Sequence, residues 1–188
     1  MAHVVILGAG LGGMAGAYEM RAALGKEHKV TVVNEREDYI FIPSNPWIAV
    51  SWRKRAQTSF PIAPALARKG IDFVCQRAEK IDAAGNRIHL ADGSTLDYDH
   101  LLITTGPKLS FDEVPGAGPA SSNGGGHTHS VCTVNHAEAF WAEYQDFVKN
   151  PGPVVIGAMP MASCFGPAYE FAFILDTDLR RRKLRNKV

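Results

Sequence analysis

Short apolar runs, each ended by glycine or by polar residues, set the pattern of the first half of the chain. From this pattern, strands are predicted at residues 3–7, 29–33, 71–75 and 100–104, and helices at residues 14–24 and 62–69. The alternation of strands with helices is typical of an α/β fold that opens a doubly wound sheet.

The pattern changes after Ala78, where short apolar runs alternate with polar residues at a period of two. Ile81, Ile88 and Leu90 are the apolar positions, and turn clusters at residues 84–86 and 91–93 separate the runs. We therefore expect a β-meander at about residues 78–98, inserted into the α/β fold.

The second half of the chain opens with a Gly, Ser and Pro-rich stretch, residues 116–130, which predicts a mobile loop. A helix at residues 136–149, a buried strand at residues 153–156 and a long helix at residues 163–184 are expected to follow. The last strand and helix have the form of the opening βα unit of a second sheet. We therefore assign residues 1–150 to a first domain and residues 151–188 to the start of an incomplete second domain.

Composition and charge restrict the function only slightly. With 20 Lys and Arg against 19 Asp and Glu, the net charge of +1 gives no global attraction to nucleic acid. The three cysteines, an odd number, argue against a secreted disulfide scaffold.

The N-terminus has no charged start or long apolar run, so we expect no signal peptide and a cytoplasmic or peripheral membrane protein of bacterial type. An unfinished sheet edge favours self-association.

A glycine-rich loop joins the first predicted strand to the first predicted helix. Gly8, Gly10 and Gly13 match G-x-G-x-x-G. The first glycine permits a tight turn, the second lets the backbone approach a pyrophosphate, and the third allows close packing of helix on strand. The helix N-terminus adds free N–H groups, and Glu35, at the end of the second predicted strand, can accept hydrogen bonds from ribose hydroxyls. The motif predicts a dinucleotide site without choosing between FAD and NAD.

The choice of cofactor rests on a second motif, which follows the predicted meander. Its residues are Leu101-Leu102-Ile103-Thr104-Thr105-Gly106-Pro107. This segment resembles the strand and turn, usually ending in Ala-Thr-Gly, of flavoproteins with two dinucleotide-binding domains, and Thr104 replaces the alanine. The resemblance implies that Thr105 and Gly106 let the backbone approach FAD. The expected fold is a Rossmann-like FAD-binding domain with an inserted β-meander, followed by the first βα unit of a second dinucleotide-binding domain.

The segment after the last predicted strand departs from a second G-x-G-x-x-G. Met159 and Met161 occupy positions that should be small, and Pro160 removes an N–H, so a nicotinamide reductant is disfavoured. Ser163 is a candidate N-cap, which would place Cys164 in the first turn of the last helix. Because a helix N-terminus stabilises a thiolate, Cys164 is a candidate nucleophile toward sulfur compounds.

Five segments carry a resemblance to a known family. They are Val5-Ile6-Leu7-Gly8-Ala9-Gly10, Phe41-Ile42-Pro43-Ser44-Asn45-Pro46-Trp47, Ile103-Thr104-Thr105-Gly106-Pro107-Lys108, Val131-Cys132-Thr133-Val134 and Ser163-Cys164-Phe165-Gly166-Pro167-Ala168-Tyr169-Glu170. Together they resemble the sulfide:quinone oxidoreductases and, more loosely, the flavoprotein subunit of flavocytochrome c sulfide dehydrogenase. The second and the last segments are far more specific than any glycine motif.

The resemblance implies an enzyme that oxidises sulfide, holds polysulfide on cysteines, reduces FAD and passes electrons to a quinone. The residues it implies are Cys164, Cys132 and His136 near the reacting groups, and Pro43, Ser44 and Asn45 in a loop close to the FAD. The family's other redox cysteine, its quinone pocket and its membrane-docking helices belong to a C-terminal half that does not match any part of this chain.

Two alternatives stay open at this point: a non-catalytic nucleotide-binding fragment and an NAD(P)H-dependent relative. No metal site is predicted, because His127 and His129 have no third ligand of suitable type nearby. Cys75, on an apolar strand, is expected in the core. The basic residues after position 179 are expected to form a solvated helix end.

Overall fold

The computed structural model describes residues 1–118, 126, 128–159, 162 and 164–188. The strands are β1 (His3–Leu7), β2 (Lys29–Asn34), β3 (Asp38–Ile40), β4 (Ser59–Pro61), β5 (Asp72–Cys75), β6 (Ala78–Asp82), β7 (Arg87–Leu90), β8 (Thr95–Asp97) and β9 (His100–Ile103). The α-helices are α1 (Leu11–Ala23), α2 (Asn45–Ala49), α3 (Ile62–Ala67), α4 (Val134–Phe147) and α5 (Gly166–Arg181). By packing, the chain divides into a first unit, residues 1–40 with 59–108, and a second unit, residues 41–58 with 109–188. The domain boundary at residue 150 stays a prediction.

The first unit is built on a parallel sheet with the strand order β5-β2-β1-β9. Strand β1 is central, and its Val5 lies beside Thr31 of β2 and Leu101 of β9. Continuous apolar runs such as residues 4–7 suit a parallel sheet that is covered on both faces. The predicted α/β fold is confirmed, and all four predicted strands of this sheet end within one residue of the observed bounds.

Each face of this sheet carries its own apolar core. One core contains Ile6 and Val32 of the sheet with Leu66 of α3. The other contains Val5 and Ile88, where the antiparallel meander β6-β7-β8 covers the sheet. Complete burial of a side chain such as Ile88 contributes about 2 kcal/mol. The predicted β-meander is thereby confirmed as one of the layers that enclose the sheet.

The residues at the N-terminus of each helix explain where the helix begins. Helix α1 begins at Leu11, directly after the glycine loop and three residues before its predicted start. Helix α4 begins at Val134, because the Thr133 hydroxyl accepts a hydrogen bond from the His136 N–H. Helix α5 begins at Gly166, with Pro167 in its first turn, where the missing N–H and fixed φ of proline are favourable.

The strand predicted at residues 153–156 is not formed. Val154 and Ile156 line a shallow cleft beside α5, whereas the Val155 side chain is 95% exposed. A strand exists only when a neighbour pairs with its backbone N–H and C=O groups. Among the described residues no strand pairs with this segment, and the apolar pattern alone could not reveal that.

A buried carboxylate on α5 is hydrogen-bonded to three side chains of the second unit. Asp178 on α5 is 4% exposed and accepts hydrogen bonds from the Trp52 indole at 2.9 Å, the Tyr144 hydroxyl at 2.8 Å and the Arg182 guanidinium. Burial, with the bond to Asp178, raises the pKa of Tyr144 above its ordinary value.

No helix in the described part of the chain is long and apolar enough to span a membrane.

Candidate functional site

Close backbone contacts shape the glycine loop between β1 and α1. Gly8 has a φ of 101°, and its N–H donates to the Val33 carbonyl at 2.8 Å. A Cβ on Gly8 would lie 2.5 Å from the Thr104 carbonyl oxygen, and a Cβ on Gly13 would lie 1.8 Å from the Gly8 carbonyl oxygen. Neither position can therefore carry a side chain without a backbone shift.

Two side chains that the sequence analysis did not assign fix this loop. The Asn34 carboxamide oxygen, at the end of β2, accepts a hydrogen bond from the Ala9 N–H at 3.0 Å. The Thr104 hydroxyl lies 3.0 Å from the Leu7 carbonyl oxygen and 2.9 Å from that of Gly8, and can donate to either. The replacement of the usual alanine by Thr104 thus adds a hydroxyl that ties β9 to the glycine loop. A polar residue at the end of β2 was the available signal for Asn34.

The glycine loop leaves the N-terminus of α1 without a side-chain cap. Gly10 is the N-cap of α1 and has no side-chain cap, while the Met14 N–H makes the first helical bond to the Gly10 carbonyl at 3.0 Å. The N–H groups of the first helical turn are thus left to a ligand. A Cβ on Gly10 would meet nothing within 4 Å. Both observations fit a pyrophosphate.

The other residues of the first unit that are predicted to bind the cofactor lie at the carboxyl ends of the parallel strands. Strand β2 ends at Asn34, so Glu35 follows the strand rather than ending it, and its side chain is exposed. Thr105 and Gly106 follow β9 and are also exposed, and Gly106 has a φ of 74° with open space where a Cβ would be. Ligands of α/β sheets bind at this edge.

The loop of Pro43, Ser44 and Asn45 belongs to the second unit. Pro43 is exposed, whereas Ser44 is buried and Asn45 is completely buried at the start of α2. Neither the oxygen nor the nitrogen of the Asn45 carboxamide has a hydrogen-bond partner among the described residues. A buried carboxamide without partners is costly, so a substitution that removes the polar atoms of Asn45 should not destabilise the chain.

The two cysteines implied by the family resemblance are accessible. Cys132 and Cys164 are exposed, and Cys75 is half-buried on β5. Burial and the nearby Glu37 carboxylate raise the pKa of Cys75, in keeping with an inert thiol. The predicted place of Cys164 in the first helical turn is wrong, because Gly166-Pro167 starts α5 and Cys164 precedes its N-cap, Phe165. The proposed N-cap Ser163 lies outside the described residues.

His136 lies on the first turn of α4 in a partly buried setting. Its ring packs on Phe111 with a centroid distance of 4.9 Å, and its Nδ1 is buried with no hydrogen-bond partner among the described residues. Burial, and to a lesser extent the charge of His129, lowers the pKa of His136. The lowered pKa favours the neutral imidazole, which can accept a proton.

His129 pairs with a carboxylate on α4. Its Nε2 lies 2.9 Å from the Glu143 carboxylate, and its ring meets the edge of Phe140. This contact orients His129 along the face of α4 that also carries His136. His127, the other histidine of the His-x-His pair, lies outside the described residues.

Comparison with known proteins gives the family. The model of the family described as pyridine nucleotide-disulphide oxidoreductase matches residues 2–165. The chain belongs to this family. Its members, the sulfide-quinone reductases among them, are flavin-dependent oxidoreductases that bind FAD, so the predicted enzyme class and cofactor are confirmed at the level of the family.

The family resemblance predicted from the sequence is confirmed by its relatives. The sulfide-quinone reductase of Aquifex aeolicus is 42% identical over 99% of this chain and 41% of that protein. The crystal structure of the sulfide:quinone oxidoreductase from this bacterium has a TM-score of 0.90, covering 100% of this chain and 42% of that chain. The mitochondrial sulfide:quinone oxidoreductase of Dictyostelium discoideum is 25% identical over 98% of this chain and 40% of that protein. The family member described here thus spans about two fifths of the length of these relatives.

Proposed function

We propose that this chain provides the FAD-binding part of an oxidoreductase that takes electrons from sulfide and passes them to a quinone. The observation that carries the proposal is 42% identity over 99% of the chain to a sulfide-quinone reductase, together with a TM-score of 0.90 to the structure of a sulfide:quinone oxidoreductase. Sulfide or polysulfide and a quinone are the proposed partners. The rest of the catalytic machinery, with the proposed contact to a membrane surface, would come from a region equivalent to the C-terminal part of those relatives.

The proposed FAD contacts follow from the backbone geometry. Gly8, Gly10 and Gly13 would present the N-terminus of α1 to the pyrophosphate, and Glu35 would accept hydrogen bonds from the ribose. Thr105 and Gly106 would let the backbone reach the cofactor at the strand edge. The resemblance to the sulfide:quinone oxidoreductases implies that Pro43, Ser44 and Asn45 also contact the cofactor.

The proposed reacting groups are Cys164, Cys132 and His136. Exposed thiols can reach a sulfide donor and hold sulfur covalently. The neutral imidazole of His136 can take the proton released when a thiol or hydrogen sulfide ionises. Bound FAD would supply a two-electron acceptor for the oxidation of the sulfur.

Visible absorption of the chain reconstituted with FAD, before and after anaerobic sulfide, tests this function. We expect flavin bands that bleach with sulfide in the wild type and in the control Cys75→Ser, and that bleach much less in Cys164→Ser. Bands that bleach with NADH but not with sulfide would favour an NAD(P)H-dependent relative. Bands that persist under both conditions would contradict sulfide oxidation by this chain.

Asn45→Leu tests the cofactor loop without relying on turnover. Leucine has a similar volume and no polar atoms, so the chain without FAD should keep or gain stability, since the unpartnered carboxamide is removed. Affinity for FAD, measured by quenching of flavin fluorescence, should fall by about tenfold if one hydrogen bond to the cofactor is lost. Unchanged affinity would remove Asn45 from the cofactor site.

A further inference from the structure

One peptide unit of the glycine loop lies between two polar side chains from different strands. The carbonyl oxygen of Gly8 is 2.9 Å from the Thr104 hydroxyl, and the N–H of the same peptide, on Ala9, donates to the Asn34 carboxamide oxygen at 3.0 Å. Asn34 ends β2 and Thr104 directly follows β9, the two strands that pair with β1 on either side. We call Asn34, Thr104 and the peptide between them the peptide clamp.

The Thr104 hydroxyl has two carbonyl oxygens within reach, and the backbone pairing favours that of Gly8. The Leu7 carbonyl already accepts a hydrogen bond from the Thr104 backbone N–H at 2.8 Å. In the described part of the chain, no backbone N–H donates to the Gly8 carbonyl. Because a partly buried carbonyl needs a donor, the hydroxyl is the group that satisfies Gly8.

Glycine at position 8 leaves this peptide free to rotate unless other groups hold it. The Thr104 carbonyl excludes a side chain at Gly8, and a residue without a Cβ restricts the rotation of the next peptide very little. Rotation would turn the Gly8 carbonyl and the Ala9 N–H away from their partners, and both hydrogen bonds would be lost. The two side chains of the clamp therefore select a single orientation of the peptide.

The Asn34 carboxamide also connects the glycine loop to the turn that follows β2. Its Nδ2 donates to the Arg36 carbonyl at 2.8 Å, while its Oδ1 accepts from the Ala9 N–H. Glu35, which is proposed to bind the ribose, lies between Asn34 and Arg36. One carboxamide thus fixes the glycine loop relative to the turn that carries Glu35.

We propose that Asn34 and Thr104 are positioning residues, which hold the glycine loop in its FAD-binding form before the cofactor binds. The inference rests on the proposed FAD contacts of this loop. Both side chains act through the Gly8–Ala9 peptide, which leads directly to Gly10, the N-cap of α1. A loop that is already ordered binds without the cost of ordering, whereas a fluctuating loop loses affinity in proportion to its competent fraction.

A double-mutant cycle on the affinity for FAD tests the clamp. Thr104→Ala removes the hydroxyl and introduces the residue that is usual here in the flavoproteins this segment resembles, so the fold should tolerate it. It should raise the Kd for FAD, measured by quenching of flavin fluorescence, by at most about fivefold, the equivalent of one hydrogen bond. Asn34→Leu breaks two hydrogen bonds and should raise the Kd by at most about 30-fold.

The distinguishing result is the affinity of the double variant. Because either side chain still orients the peptide when the other is removed, the double variant should raise the Kd by more than the product of the two single effects. The bond from Asn34 to Arg36 does not involve Thr104, so it adds nothing to this excess. An effect equal to the product, or smaller, would show that the two side chains act independently and would overturn the proposal.

Two further variants separate positioning from a general loss of stability. Thr104→Ser keeps the hydroxyl and should restore the wild-type Kd. Thr58→Ala is the matched control, since it removes a partly buried hydroxyl that donates to the Arg55 carbonyl at 3.1 Å in the second unit, and it should leave the Kd unchanged. If the clamp variants lowered stability in urea but kept the wild-type Kd, the role of both residues would be structural only, and the proposal would be wrong.

Hydrogen exchange of the Ala9 amide, measured on the chain without FAD, reports the clamp independently of the proposed function. In the wild type this N–H is bonded to Asn34 and should be protected. Thr104→Ala should speed its exchange by up to about fivefold, although the bond to Asn34 is untouched. Unchanged exchange would overturn the clamp. A wild-type chain that binds no FAD would instead contradict the proposed cofactor contacts, and the exchange rates would still decide whether Thr104 and Asn34 hold the loop together.

Discussion

Two segments of this chain share one sequence pattern, an apolar run followed by glycine and a helix, but only the first becomes a strand. Val5, at the centre of β1, is completely buried between two parallel neighbours. Val155, at the centre of residues 153–156, is 95% exposed and belongs to no strand. The comparison shows that an apolar run forms a strand only where neighbouring strands pair with its backbone N–H and C=O groups.

After the first segment, α1 packs against the glycine loop by close backbone contact. Gly13→Ala should disrupt this contact and have the largest effect on stability. The added Cβ would lie 1.8 Å from the Gly8 carbonyl oxygen, so helix and loop must separate. We expect a loss of about 3 kcal/mol or more in the free energy of unfolding, measured with urea, and no binding of FAD.

The matched control for this substitution is Gly10→Ala in the same loop. Its Cβ meets nothing within 4 Å, so stability should change by less than about 1 kcal/mol. Affinity for FAD should nevertheless fall, because the methyl group occupies the path of the pyrophosphate. Equal destabilisation by both substitutions would contradict the close contact at Gly13.

The second unit depends on hydrogen bonds between buried side chains, and Asp178→Ala should show this. Removal of the carboxylate leaves the donors on Trp52, Tyr144 and Arg182 without their acceptor, which should cost about 3 kcal/mol in urea unfolding. Asp176→Ala on the same helix is the control, since its pairs with Arg180 and Arg185 lie at the surface and contribute little to stability. A loss of similar size in both variants would show that Asp178 has no special structural role.

The contrast between the two central valines is itself measurable. Val5→Ala should lower the free energy of unfolding by about 2 kcal/mol, because it removes two methyl groups from a packed core. Val155→Ala should change it by less than about 0.5 kcal/mol, because the side chain is in solvent. If Val155→Ala were as costly as Val5→Ala, residues 153–156 would be packed in solution.

The sequence was sufficient for the parallel sheet and the glycine loop, because buried apolar runs and obligatory glycines leave local signals. It was not sufficient for the start of α5, where the proline of Gly166-Pro167 decided the boundary and moved Cys164 out of the helix. The contacts of Asn34 and Thr104 with the loop, and the pairing of His129 with Glu143, join residues that are distant in sequence or on different elements. No periodicity reports such contacts, so the geometry of the candidate site could not be predicted from the sequence.

The smallest expected effect is a pH dependence carried by His136 of the second unit. Burial, with a smaller contribution from His129, lowers its pKa below the ordinary value of 6.5, so the unfolded chain binds the proton more readily than the folded chain. The stability that His136 contributes is therefore present above pH 6.5 and is lost as the pH falls through the lowered pKa. Thermal unfolding between about pH 5 and 8 should be less pH-dependent in His136→Gln than in the wild type, while His100→Gln, at an exposed position, should follow the wild type. A wild-type profile retained in His136→Gln would mean that another group carries the dependence, and His136 would lose its physical support as the neutral proton acceptor.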